Sequence, residues 1–301
     1  MMGDKNHPQS FEWESSENKS GFEASDEQLM QLARGHNNRA KVYYEAERFA
    51  DAEAEVRKAL EYAPNWPALH DNLGTICAEQ GNYQDALMHY VQALRLDPKR
   101  PEVLYNLGYF LLQNGLDTAH FFLEKTLETD PNYPDAWRVM GDILYERGEI
   151  SKSISSLGKA IQQKTGDTRA RFKLSDIFWE QGDYHESAQQ LESILKIDPN
   201  DQIAWHNLGL SAIMLEETER AETALLKAIA IDPEYLLAHY HLACFYAENF
   251  RIIESLYHLG RAAALDSEGV REWALEDDKL DHLRGNPRFD EILNGHNLPP
   301  Q

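Results

Sequence analysis

The stretch Asn72–Ala86 reads NLGTICAEQGNYQDA, and the chain repeats its outline twice. It returns at 106–119 as NLGYFLLQNGLDTA and at 207–221 as NLGLSAIMLEETERA. Each copy sets a Gly on an apolar, helix-like run and places an Ala about a dozen residues on. Proline fixes the period: Pro64, Pro98, Pro131, Pro199 and Pro233 stand 34, 33, 68 and 34 residues apart, and 68 is twice 34. A fixed period of this size marks a stack of supersecondary units. The frame is seven units, 33–66, 67–100, 101–133, 134–167, 168–201, 202–235 and 236–269.

Inside 67–100 the apolar positions fall at three-to-four spacing twice, through His70, Leu73 and Cys77 and again through Ala86, Tyr90, Ala93 and Leu94. That is the period of two amphipathic helices. Gly81 is placed to end the first helix, with Gly115, Gly148 and Gly182 in the same role. Pro98 stops the second. Small residues recur where large ones would hold helices apart: Gly74, Gly108, Gly141 and Gly209, then Ala52, Ala86, Ala119 and Ala221. Glycine inside a helix costs about 1 kcal/mol against alanine. Its retention at four matching places predicts close helix–helix approach. One helical pair cannot bury its apolar faces alone, so the units must stack.

These residues resemble the tetratricopeptide repeat (TPR) pattern of a bulky residue, Leu-Gly, Ala, Leu, Ala and Pro. The unit 202–235 carries it as Trp205, Leu208, Gly209, Ala221, Leu225, Ala228 and Pro233. The resemblance implies an all-α solenoid, a right-handed superhelix of antiparallel helix pairs whose first helices form a concave face. Residues 270–301, with Trp273, Leu280, Leu283, Phe289, Ile292 and Leu293 as apolar anchors, resemble the closing segments of bacterial TPR arrays. Asn286-Pro287 is a good helix start there. Residues 1–26 are polar and acidic and read as a disordered tail, in which Phe11, Trp13 and Phe22 stand out. The pattern breaks at Ser153, Ser175, Ile194, Ala243 and Ser267, and at Lys164–Asp167, where KTGD replaces the usual DP. A local change of pitch is expected near Thr165–Asp167.

The formal net charge is −22, from 51 acidic and 29 basic residues. Such a surface repels phosphate backbones and anionic membranes, so neither nucleic acid nor membrane insertion is expected. Two cysteines give no disulfide framework, and a reducing, cytoplasmic setting is expected. No phosphate loop, zinc-protease or nucleophile-elbow motif occurs. His239 and His241 lie two apart on a helix and point away from one another, which excludes chelation of one ion. No enzyme, cofactor or metal is expected.

The resemblance implies that the second, fifth, sixth, ninth, twelfth and thirteenth residues of each first helix line the groove. Asn38, Asn72, Asn106 and Asn207 share one such position, and amides there would grip the backbone of an extended peptide. Tyr105, Tyr109, Arg138, Tyr145, Arg169, Phe172, Lys173 and Trp179 form an aromatic and cationic cluster of the kind that dominates interfaces. His206 and Tyr240 complete the set. The family's clamp for chaperone tails is not matched, because Tyr105, Tyr109 and Val139 occupy its earlier positions. The expectation is an adaptor or assembly factor holding an extended segment of a protein partner. A homo-oligomer, using its own tail or cap in the groove, stands as the alternative.

Overall fold

Apolar periodicity, a Gly or acidic turn and a Pro or Asp stop recur along the chain, and helices recur with them. The computed structural model describes residues 24–112 and 116–294. The expected tail and its aromatics Phe11, Trp13 and Phe22 lie outside the described residues, as does Gly115; residues 24–26 already belong to the first helix. The fold is all-α, with no strand among the described residues. The chain divides between Lys164 and Thr165 into two compact units. That division falls within the KTGD segment.

The first unit contains α1 (Ala24–Glu45), α2 (Phe49–Tyr62), α3 (Pro67–Glu79), α4 (Tyr83–Leu96), α5 (Pro101–Leu111), α6 (Leu116–Thr129), α7 (Pro134–Glu146) and α8 (Ile150–Gln163). They pack in consecutive pairs, and each second helix also packs on the first helix of the next pair. Pro67, Pro101 and Pro134 open α3, α5 and α7 at the first helical position, where the missing N–H costs no helical bond. The core forms two clusters along the pairs, one from Ala33, Val56 and Leu73 to Tyr90 and Leu107, the other from Tyr105 and Leu123 to Val139 and Ile143.

The second unit contains α9 (Thr168–Gln181), α10 (Tyr184–Ile197), α11 (Gln202–Met214), α12 (Thr218–Ile231), α13 (Leu236–Glu248) and α14 (Ile252–Leu265). It closes with α15 (Ser267–Glu276), a 3-10 helix over Asp278–Leu283 and α16 (Pro287–Leu293). α15 starts at Ser267, so the closing segment begins earlier than residue 270; Asp266 caps it by accepting from the Gly269 N–H. α16 starts at the expected Asn286-Pro287, with the Asn286 side chain accepting from the Arg288 N–H at 2.9 Å. Leu280, Leu283, Phe289, Ile292 and Leu293 are buried against α13 and α14. Trp273 is not: 41 % of it is exposed, and its ring meets Tyr240 edge-on at 5.3 Å.

Close approach is the reason for the helical glycines. A Cβ built on Gly141 would stand 2.6 Å from Leu157 Cγ, and one on Gly209 would stand 2.7 Å from Leu225 Cγ. Where the sequence departs from this pattern, hydroxyls bridge the approach. Ser153 donates to the Gly141 carbonyl at 2.7 Å, Ser255 donates to the Ala243 carbonyl at 2.7 Å, and Ser175 and Ser187 share a bond at 2.9 Å.

Candidate functional site

Two sets of hydrogen bonds position the first helices. The first set pins α3, α7, α9, α11 and α13 to the turns before them. The Trp137 and Trp205 indole N–H groups donate to the Pro131 and Pro199 carbonyls at 2.8 and 2.9 Å. His70 and His239 occupy the same position and donate from Nε2 to the Pro64 and Pro233 carbonyls at 2.9 and 3.2 Å. His and Trp interchange there because each offers a ring N–H, and Arg171 makes the same bond from its guanidinium to the Thr165 carbonyl at 3.3 Å.

The second set joins first helices to one another at a 35-residue step. In the first unit, Asn72 Nδ2 donates to Asn37 Oδ1 at 3.0 Å, and Asn106 Nδ2 donates to Asp71 Oδ2 at 2.9 Å. In the second unit, His206 Nε2 and His241 Nδ1 meet at 2.7 Å. His206 Nδ1 lies 3.0 Å from Asn207 Oδ1. If that nitrogen donates to the amide oxygen, Nε2 is the acceptor in the neutral pair and His241 the donor. The sixth residue of one repeat thus reaches the fifth residue of the repeat before it.

This ladder corrects the expected groove. Asn72 and Asn106 are 1 % exposed because their amides join neighbouring helices, and the residue facing Asn72 is Asn37, not Asn38. Asn38 is exposed. Tyr105 is fully buried, stacked on Tyr109 and tilted against Tyr133. Arg138 is 8 % exposed and lies 3.7 Å from both Asp135 and Asp142, so two carboxylates already balance its charge. His206 is buried in the ladder, and Tyr240 is buried with its hydroxyl donating to Asp277 Oδ2 at 3.1 Å. Tyr109, Tyr145, Phe172, Lys173, Trp179 and Asn207 are half-buried. Phe172 packs on the Leu191–Leu208 core and Trp179 meets Tyr184 edge-on at 5.0 Å. Arg169 is exposed.

In the second unit, exposed apolar side chains stand at two of the positions expected to line the groove, the second and the thirteenth. Ile203 and Leu237 are 47 % and 38 % exposed at the second residue of their repeats, in register with Arg169. Met214 is 46 % exposed at the thirteenth. Met214 stands among the expected groove residues, whereas Ile203 and Leu237 do not; they differ from the Arg34, Glu102, Asp135 and Arg169 that hold the second position in other repeats. Arg169 carries no ion pair.

Burial governs the electrostatics. It pushes the Asp71 carboxyl up to about 7, against the opposing Asn106 bond and the Arg100 charge. It lowers the imidazoles of His206 and His239, and takes those of His241 and His258 down to about 4. Both cysteines are buried and unbridged, and burial raises the Cys77 thiol to about 11. Among the described residues, no cluster of three or more His, Cys, Asp or Glu is arranged to hold a metal ion. No helix among them is long and apolar enough to cross a membrane.

Models of the repeat family match this chain in three places, as "TPR repeat" over residues 74–115 and as "Tetratricopeptide repeat" over 172–235 and 33–66. The peroxisomal targeting signal receptor of Saccharomyces cerevisiae is 26 % identical over 204 residues, which cover 64 % of this chain and 32 % of the receptor. The chain spans about a third of the length of such curated relatives. The crystal structure of YrrB, described as a TPR protein with an unusual peptide-binding site, aligns with TM-score 0.50 and 25 % identity. That alignment covers 61 % of this chain and 95 % of YrrB. The C-terminal part of a TPR repeat-containing protein from Cytophaga hutchinsonii aligns with TM-score 0.62 at 17 % identity, covering 82 % of this chain and 99 % of that one. Periodic helix pairs, matching repeat models and a shared fold lead to one conclusion: this chain is a tetratricopeptide repeat protein.

Proposed function

We propose that the chain is a non-catalytic interaction scaffold that holds an extended segment of a partner protein on the first helices of its second unit. The observation that carries this reading is the exposed set Arg169, Ile203, Met214 and Leu237 on α9, α11 and α13. Exposed apolar side chains beside an unpaired guanidinium favour a partner segment with apolar side chains and an acidic group. The half-buried Asn207 amide supplies a donor for the partner backbone. Relatives support the reading in kind: YrrB is described as having a peptide-binding site, and the yeast relative as a targeting signal receptor. An adaptor or assembly role fits such a surface.

The test is affinity capture from the native host with the wild-type chain and a triple variant, Arg169→Ala, Asn207→Ala and Met214→Ala. All three residues lie at the surface or half-buried, so helicity should be kept. Partners recovered by the wild type alone are expected. Equal recovery by a folded triple variant would remove this face from the function.

A further inference from the structure

On the opposite side of α11 from Asn207 and Met214, a recess of about 630 Å³ opens between α10, α11 and α12. Its floor includes Leu195, Trp205 and Leu208, and its rim Lys196, Glu219 and Arg220. The Arg220 guanidinium is engaged by Glu192 at 2.7 Å and by Glu217. Glu219 and Lys196 carry no ion pair. The recess thus offers an indole, an unpaired carboxylate and an apolar base.

The chain holds a second copy of this arrangement with its place filled. Trp137 is fixed as Trp205 is, by an indole N–H bond to the proline carbonyl six residues earlier. Over Trp137 lies the ammonium of Lys159, 3.8 Å from the ring centroid. Lys159 stands 22 residues after Trp137, and Lys227 stands 22 residues after Trp205. Yet Lys227 is exposed and sets no ammonium over Trp205, whose ring lines the recess instead. The wall differs as well. Glu219 takes the position of Ser151, 68 residues earlier, which adds a carboxylate near the open indole.

We propose that this recess docks a lysine or arginine side chain of a basic partner segment, which takes over Trp205 the place that Lys159 takes over Trp137. A cation is attracted by the indole face and by Glu219, and an anion is repelled by both. The net charge of −22 draws a basic segment towards the chain. Lys196 sits at the rim and sets a direction: the guest ammonium lies on the Glu219 side.

The test follows the indole N–H signals of the full chain by NMR, with Trp205 and Trp137 assigned by substitution. The probes are three capped tripeptides, Gly-Lys-Gly, Gly-norleucine-Gly and Gly-Glu-Gly. The lysine probe is expected to shift Trp205 saturably and leave Trp137 in place. Norleucine, and the lysine probe on Glu219→Gln, should bind weaker by about threefold or more. Equal response to norleucine, equal shifts at both indoles, or no shift at Trp205 would overturn the assignment. So would a Lys227→Met change that alone moves Trp205 as far as the probe does, because the chain's own lysine would then be the occupant.

Discussion

Buried imidazoles touch in pairs, and this fixes how the protein answers acid. His239 donates to the Pro233 carbonyl from Nε2, so its Nδ1 accepts from His258 Nδ1 at 2.9 Å. His206 and His241 form the second such pair at 2.7 Å. Neither pair can hold two protons on each ring without setting N–H against N–H. All four imidazoles titrate below their ordinary 6.5, those of His241 and His258 near 4. The unfolded chain therefore binds more protons than the folded chain across that window, and stability falls as pH drops from 6.5 towards 4. Urea unfolding at stepped pH should show that loss, and His258→Gln should reduce it. Asp71 acts with the opposite sign. Its folded carboxyl titrates near 7 against an ordinary 3.8, so its contribution is present below 3.8 and lost as pH rises through 7. Asp71→Asn should raise the urea midpoint above pH 7 and change little at pH 4. Packing gives a third prediction. Gly141→Ala drives a methyl into Leu157 and should cost about 1–3 kcal/mol. Gly158→Ala, with no atom within 4 Å on an exposed face of α8, should gain roughly 1 kcal/mol.

Turns and packing show how far elements can be read from residues. Gly81, Gly148 and Gly182 take φ of 78°, 74° and 79° at the ends of α3, α7 and α9, as the glycine signal implies. Glu47, Glu216 and Phe250 take φ of 56°, 59° and 57° at comparable turns. A side chain in that region costs about 1–2 kcal/mol, so Glu216→Gly should raise the urea midpoint by a corresponding amount. Helix pairs were legible because their signals are local: period, glycine, proline. The partners of polar side chains were not, because the ladder joins the sixth residue of one repeat to the fifth of the repeat before it. A list of like positions pairs Asn72 with Asn38, whereas the side chains select Asn37. Trp273 was misread for a similar reason. Its apolar character marks an anchor, but Leu280 and Leu283 fill the space against α13 and α14, and the indole stays 41 % exposed.

At the scale of the molecule, the second unit leaves the second position of its repeats exposed, as Arg169, Ile203 and Leu237, and exposes Met214 at a thirteenth position. The aromatic cluster expected to bind a partner is largely engaged within the fold: Tyr105 and Tyr240 are buried, and Tyr109, Phe172 and Trp179 are half-buried. The fold could be inferred from the sequence because burial repeats with the period. The candidate surface was legible only in part: Arg169 and the second and thirteenth positions were expected, but Ile203 and Leu237 were not, because an exposed aliphatic residue and a core one look alike until the packing is known. Acidic charge adds a dependence on salt at the separate Trp205 recess: a basic segment docked there should bind less tightly as ionic strength rises. The central claim is that the first helices of the second unit carry the partner. Photo-crosslinking tests it most directly, with a benzophenone side chain placed at Met214, at Leu237 and, as a control on the exposed side of α10, at His185. Captured partner joined at Met214 and Leu237 and absent at His185 is the predicted result. Crosslinks at His185 alone would contradict the account.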